Sequence, residues 1–185
     1  MTRKLKKKIE VKCIIDSREK FPPNIKLDKD FGADKIKICE IETKCFKPLG
    51  CKTSTGDFGI EIKLEGETKF RKTKLAIEYK RGGDLFTTLF SNFKRFQKEL
   101  DRVDECELYF YILHDWTLND IKEKIKELQV MRKIGYKTQP YITFLNNYLI
   151  VAKKYGVINC GDNFEETTRR IIKKFIIDNK LQYDY

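Results

Sequence analysis

Five acidic residues and one lysine hold the spacings in this chain that could do chemistry. In LAIEYKRGGD, Leu75 to Asp84, Glu78 stands two residues before Lys80 and Asp84 closes the stretch; GDF at 56–58 supplies Asp57, and DSRE at 16–19 supplies Asp16 and Glu19. On a β-strand successive side chains point to opposite faces, so Glu78 and Lys80 share one face with Ala76, while Leu75, Ile77 and Tyr79 take the other. A solvated strand face reads the same way in isolation, since charges are mostly exposed. His114 is the only histidine, which leaves His-based zinc sites, Ser-His-Asp triads and Cys-His dyads little to build on. Any catalysis falls to carboxylates and lysines.

The elements that must position these residues follow from periodicity. VKCIID (Val11 to Asp16), KIKICEIE (Lys35 to Glu42), FGIEIKLEG (Phe58 to Gly66) and KLAIEYK (Lys74 to Lys80) read as strands, the last two joined by a charged loop at Glu67 to Thr73. Leu85, Leu89, Phe93, Phe96 and Leu100 fall at helical spacing, which predicts one amphipathic helix over Asp84 to Val103 with Asp84 as its N-cap. ELYFYILHD (Glu107 to Asp115) is apolar over its middle, as expected for a strand covered on both faces. Thr117 to Gln129 opens with a capping pattern, Pro140 to Tyr155 is helical, VINC reads as a short buried strand, and Asn163 to Lys180 is a helix after an Asp162/Glu165 capping box. Strand, helix, strand suggests a crossover. The class is α/β, a central mixed sheet flanked by helices, with residues 1–10 a basic N-terminal segment and 11–185 one domain.

Composition narrows the partners. The 185 residues carry 39 Lys+Arg against 28 Asp+Glu, a formal charge of +11, which favours an anionic partner, nucleic acid first. No run of 18 apolar residues suggests a membrane span, and MTRKLKKKIE lacks the apolar core of a signal peptide, so a cytoplasmic chain is expected, or a nuclear one in a eukaryote. The six cysteines are then expected as thiols, packed as small apolar residues rather than paired for zinc, since none forms a CxxC pair.

Taken together, DSRE, GD, EYK and Asp84 spell GD…EYK-x3-D. This resembles the XPF-type structure-specific endonucleases of the PD-(D/E)xK superfamily, whose pattern is GD…ERK-x3-D. The DLFTTLFSNFKRFQKEL helix, the YFYILHD strand and the VINC…NFEETTRRIIKKF segment fall in the family's order, so the resemblance spans roughly Val11 to Lys180. Tyr79 replaces the family's arginine. Branched or flapped DNA is the substrate the resemblance implies, although where many members continue into a tandem helix-hairpin-helix module this sequence ends at Tyr185, without that DNA-gripping accessory.

The resemblance implies a restriction-endonuclease-like core and Mg²⁺- or Mn²⁺-dependent hydrolysis of DNA to a 5′-phosphate and a 3′-hydroxyl. Asp57 and Glu78, with the backbone carbonyl of Tyr79, are the implied metal ligands; a hard cation of this kind uses one or two carboxylates plus a substrate phosphate. Lys80 is suited to orient the attacking water or to stabilise phosphoryl charge. Asp16, Glu19 and Asp84 are placed around the metal. Arg18, Arg71, Lys72, Lys74, Arg81, Lys94 and Arg95 are candidate DNA contacts, with Lys4, Lys6, Lys7 and Lys8 at the start, because phosphate neutralisation needs cations whatever the base sequence. The family also pairs nuclease domains, so a homodimer, or a heterodimer with a related subunit, is expected, with Phe175 and Ile176 as an apolar row that serves either such an interface or the chain's own core. A catalytically silent nuclease-fold subunit that binds DNA and a partner protein is the alternative; a basic RNA-binding module would have no use for the clustered acids.

Overall fold

The computed structural model describes residues 7–19, 25–131 and 139–181; Lys4 and Lys6 lie outside them. The alternating segments form six strands, β1 (Ile9–Asp16), β2 (Ile36–Lys44), β3 (Phe58–Leu64), β4 (Arg71–Lys80), β5 (Tyr109–His114) and β6 (Gly156–Asn159), in the order β2-β1-β3-β4-β5-β6. β3 is antiparallel to both β1 and β4, whereas β1 and β2, β4 and β5, and β5 and β6 run parallel. The sheet is mixed, and the parallel step from β4 to β5 passes through helices, as a crossover requires. Among the described residues five helices flank it: α1 (Asp84–Phe90), α2 (Phe93–Glu105), α3 (Leu118–Val130), α4 (Gln139–Ala152) and α5 (Phe164–Asp178). The chain is therefore α/β.

Alternation along β4 divides the interior. Leu75 and Ile77 pack with Val11, Cys13, Ile60 and the α5 residues Ile171, Ile172, Phe175 and Ile176 on one face. Ala76 packs on the other with Phe110, Ile112, Leu85, Leu89, Phe96 and Phe144. Each buried aliphatic or aromatic side chain contributes about 1.5–3 kcal/mol, so α5 holds one face of the sheet while α1 to α4 cover the far half of the other. Phe175 and Ile176 are 5% and 0% exposed. Of the two readings of this row, the chain's own core is the one observed: their own sheet consumes them.

Several other expectations are also revised. Ile9 and Glu10 belong to β1, so the basic segment ends earlier than residue 10. β4 begins at Arg71, which puts Arg71 to Thr73 in the strand rather than in a loop. The expected long helix is two, because the N–H groups of Ser91 and Asn92 both reach Thr87 O, at 3.0 and 2.9 Å, and Asn92 leaves the helical region. The apolar spacing continues across this break, which is why it hides the turn; Ser and Asn compete with helical backbone through their own side chains. Asp84 is the first residue of α1 behind an N-cap at Gly83, and α5 starts behind Asn163 without a side-chain cap. The capping pattern of α3 is present, Thr117 and Asp120 bonding reciprocally. β6 is a half-exposed edge strand rather than a buried one.

Cysteine usage differs as well. Cys51 and Cys106 form a disulfide with Cα atoms 5.5 Å apart, and Cys45 is exposed. Cys13 and Cys160 are buried thiols, as packing predicts. Among the described residues, no helix is long and apolar enough to cross a membrane.

Candidate active site

The C-terminal end of β4 is where the acids meet. Gly56 is buried with φ +79°, and a Cβ there would stand 3.2 Å from Ile77 O and 3.3 Å from Ala76 Cβ; only glycine takes this turn without strain. The turn brings Asp57 across to β4. Asp57 N donates to Ile77 O at 2.9 Å, and Asp57 O accepts from Asp16 N at 2.7 Å. The Asp57 carboxylate accepts the Tyr79 N–H at 2.7 Å. Within a strand the N–H and C=O of one residue point to the same side, so the Tyr79 carbonyl faces the side from which Asp57 approaches.

Glu78 is 5% exposed and accepts a hydrogen bond from Lys80 Nζ. Their shared face is the one the alternation predicts. Tyr79 turns to the opposite face, where it meets Phe164 with ring centroids 4.2 Å apart. Burial pushes the Asp57 carboxyl above the usual carboxylate range, and the charge of Glu78 pushes it further; the Tyr79 N–H and the Lys80 ammonium oppose this. Burial likewise raises Glu78, with Lys80 pulling it back. For Lys80, burial works against the ammonium, but the field and hydrogen bond of Glu78 outweigh it and hold the pKa above the ordinary lysine value. Two carboxyl groups thus share the site, Glu78 buried and Asp57 half-buried, and both hold their protons to higher pH than usual despite the ammonium beside them.

Beside them opens a cleft of about 340 Å³ lined by Glu78, Lys80, Asp84, Arg95, Phe96 and Glu99 among others. Asp57 is outside this lining and meets Glu78 from the β3 side. Asp84 is exposed in the first turn of α1, where a carboxylate complements the helix dipole. Glu19 follows the turn after β1, its N–H donating to Asp16 O at 2.9 Å, and its charge acts on both Asp57 and Glu78.

Asp16 is deployed differently from the other acids. It is 2% exposed, and its Oδ1 accepts from Arg18 N at 2.9 Å and Arg18 Nε at 2.8 Å. Its Oδ2 accepts from Phe46 N at 3.1 Å, from Arg18 Nη2 at 3.2 Å and from the Ser54 hydroxyl. Burial alone would raise its pKa, but the Arg18 and Ser54 bonds hold it well below the usual carboxylate range. Asp16 therefore braces the segment that delivers Asp57, with its oxygens already taken. Ser54 was not legible as a site residue, and neither was Glu99, which lies in an ordinary charged helix pattern.

The candidate DNA contacts separate into two groups. Arg81 follows Lys80 and is exposed, Lys94 and Arg95 open α2 with Arg95 on the cleft, and Arg18 sits by Asp16. Arg71, Lys72 and Lys74 lie at the other end of β4, roughly 20–30 Å from Lys80 by strand rise. There Lys74 pairs with Glu107 at 2.7 Å and Arg71 with Glu67 at 3.8 Å.

The donor set fits a hard divalent cation. Asp57, Glu78 and the Tyr79 carbonyl are all oxygen donors, and a cation between them would favour the ionised form of both carboxyls. Among the described residues no group of three His, Cys, Asp or Glu side chains is arranged to hold an ion. Comparison with protein-family models, curated proteins and solved structures finds no match.

Proposed function

We propose that this chain is a Mg²⁺- or Mn²⁺-dependent endodeoxyribonuclease acting on branched or flapped DNA in repair, recombination or replication. The observation that carries the reading is Asp57, in the turn before β3, bonded to the Tyr79 N–H beside Glu78 on β4, with Lys80 on the Glu78 face. Asp57 and Glu78, with the Tyr79 carbonyl, would hold the cation, which when bound supplies charge neutralisation at phosphate oxygens. Lys80 points its ammonium at the cleft, where it orients a water or stabilises charge developing on the phosphoryl group. Arg81, Lys94 and Arg95 border the same end of the sheet and bind backbone phosphates without reading sequence. The Phe96 ring, centred 5.6 Å from Lys80 Nζ, limits water around the ammonium. Glu19 and Asp84 add negative field at the rim.

Pairing with a second copy or a related subunit belongs to the same proposal, through a surface other than the α5 core face. The alternative, a silent nuclease-fold subunit that binds DNA and a partner, would not need a buried Glu78 beside a half-buried Asp57. Incubating a labelled flap with wild type and with Asp57→Ala, in Mg²⁺ and in chelator, separates them. Cleavage by wild type in Mg²⁺ alone supports the nuclease; DNA binding without cleavage supports the silent subunit.

A further inference from the structure

Lys80 has a conflict to resolve. Its ammonium is bonded to the carboxylate of Glu78, yet the proposed reading gives that same carboxylate to a divalent cation, and the two positive charges repel. Ligation at Glu78 therefore either displaces the ammonium or is weakened by it. Something must hold Lys80 in the cleft when Glu78 lets go.

α2 supplies a candidate on the right face. Arg95, Phe96 and Glu99 all line the cleft with Lys80, as residues three or four apart on a helix do. Phe96 lies under the ammonium at 5.6 Å from ring centre to Nζ. Glu99 stands one turn beyond Arg95 and is half-buried, and its charge acts on Glu78, Lys80 and Arg18. It raises the proton affinity of Glu78, as a like charge does, and favours the charged form of Lys80.

We propose that Glu99 is a positioning residue that takes over the Lys80 ammonium when Glu78 turns to the cation. This rests on the reading of Asp57 and Glu78 as cation ligands. The exchange moves the ammonium from one carboxylate to another with no proton transferred and no bond made or broken. It leaves Lys80 charged and aimed into the cleft, and it frees the Glu78 oxygens. Without Glu99 the lysine stays on Glu78 and competes with the ion.

Calorimetric Mn²⁺ titration of wild type, Glu99→Gln, Lys80→Ala and the double variant tests this without reference to cleavage. Glu99→Gln is expected to weaken Mn²⁺ binding by about five- to tenfold, the scale of one partly solvated charge pair. Lys80→Ala should bind Mn²⁺ as tightly as wild type or slightly tighter. In the Lys80→Ala background Glu99→Gln should change the affinity less than about twofold, because the competitor is gone, and Glu99→Asp should recover part of the loss. Equal Mn²⁺ affinity of wild type and Glu99→Gln overturns the proposal and leaves the cation reading standing. An equal loss in both backgrounds overturns it too, since Glu99 would then act on the ion directly. A wild type that binds no Mn²⁺ overturns the cation reading and this inference together.

Discussion

Asp57→Asn should stabilise the metal-free protein while abolishing its response to metal. The substitution keeps the shape of the side chain, and the amide oxygen can go on accepting the Tyr79 N–H now held at 2.7 Å. What it removes is a charge that burial and Glu78 both disfavour. One pKa unit corresponds to about 1.4 kcal/mol, and the favourable Tyr79 and Lys80 interactions cancel part of the penalty, so the net gain is expected at about 1–3 kcal/mol. For a domain of this size that is about 3–10 °C in Tm. The sign with pH follows from an acid whose folded pKa is raised: its contribution to stability is full below the unfolded value near ~4 and is lost as pH rises through the higher folded value. The advantage of Asp57→Asn should therefore be largest at about pH 8 in chelator, shrink as pH falls, and vanish only below about pH 4, where Asp57 is protonated in the folded and the unfolded chain alike. Millimolar Mg²⁺ should raise the Tm of wild type by mass action and leave the variant unmoved. Thermal unfolding at two pH values, with and without Mg²⁺, reads all of this. An Asp57→Asn protein that is folded yet melts at or below wild type in chelator at about pH 8 would refute the reasoning.

Asp16→Asn should act on stability rather than on metal. The bonds from Arg18, Ser54 and Phe46 predict a loss of about 2–4 kcal/mol in denaturant titration with Mn²⁺ affinity within about twofold of wild type; the reverse pattern would make Asp16 a ligand. Because its folded pKa is depressed, the wild-type share of this stability is present above the unfolded value near ~4 and is lost as pH falls below it. Reducing the Cys51–Cys106 disulfide, which closes a span of 55 residues, should cost up to about 4 kcal/mol by loop-closure entropy; thiol titration of the unfolded, unreduced chain should count the four free cysteines, and six would show that the bond is absent. Arg95→Ala should weaken flap binding and lower its salt dependence by about one phosphate contact, whereas Lys72→Ala, at the far end of β4, should change neither; filter binding across a salt series compares them.

The sheet and its site strand were readable because two periodicities are unambiguous in them. LAIEYK alternates, so the Glu78/Lys80 face and the Tyr79 face could be assigned from the sequence and are those observed. Gly56 makes the turn ahead of Asp57 with φ +79°, which a glycine in a loop does not announce by itself. Less legible was whatever depends on contacts distant in sequence. The apolar series from Leu85 to Leu100 keeps helical phase across Ser91–Asn92, so only the backbone bonds to Thr87 reveal the break. Cys51 and Cys106 are distant in the chain and adjacent in space, and no spacing rule pairs them. Asp16 has the residue type of a ligand, and its role turned on Ser54 and Phe46, brought to it by the loop after β2. Glu99 lines the cleft with Arg95 and Phe96, but its type and spacing are those of an ordinary charged helix face.

The most direct test of the account is single-turnover cleavage of a labelled flap in Mg²⁺ by wild type and Lys80→Ala. Metal affinity and DNA affinity are expected to survive the substitution, since Lys80 is bonded to Glu78 and supplies no oxygen to an ion. The rate should fall by about 10²–10³-fold, the loss of one donor to transition-state charge, or ~3–4 kcal/mol. A folded Lys80→Ala protein that cleaves at the wild-type rate would contradict the account, leaving Glu78 and Lys80 as an ion pair at the end of a strand.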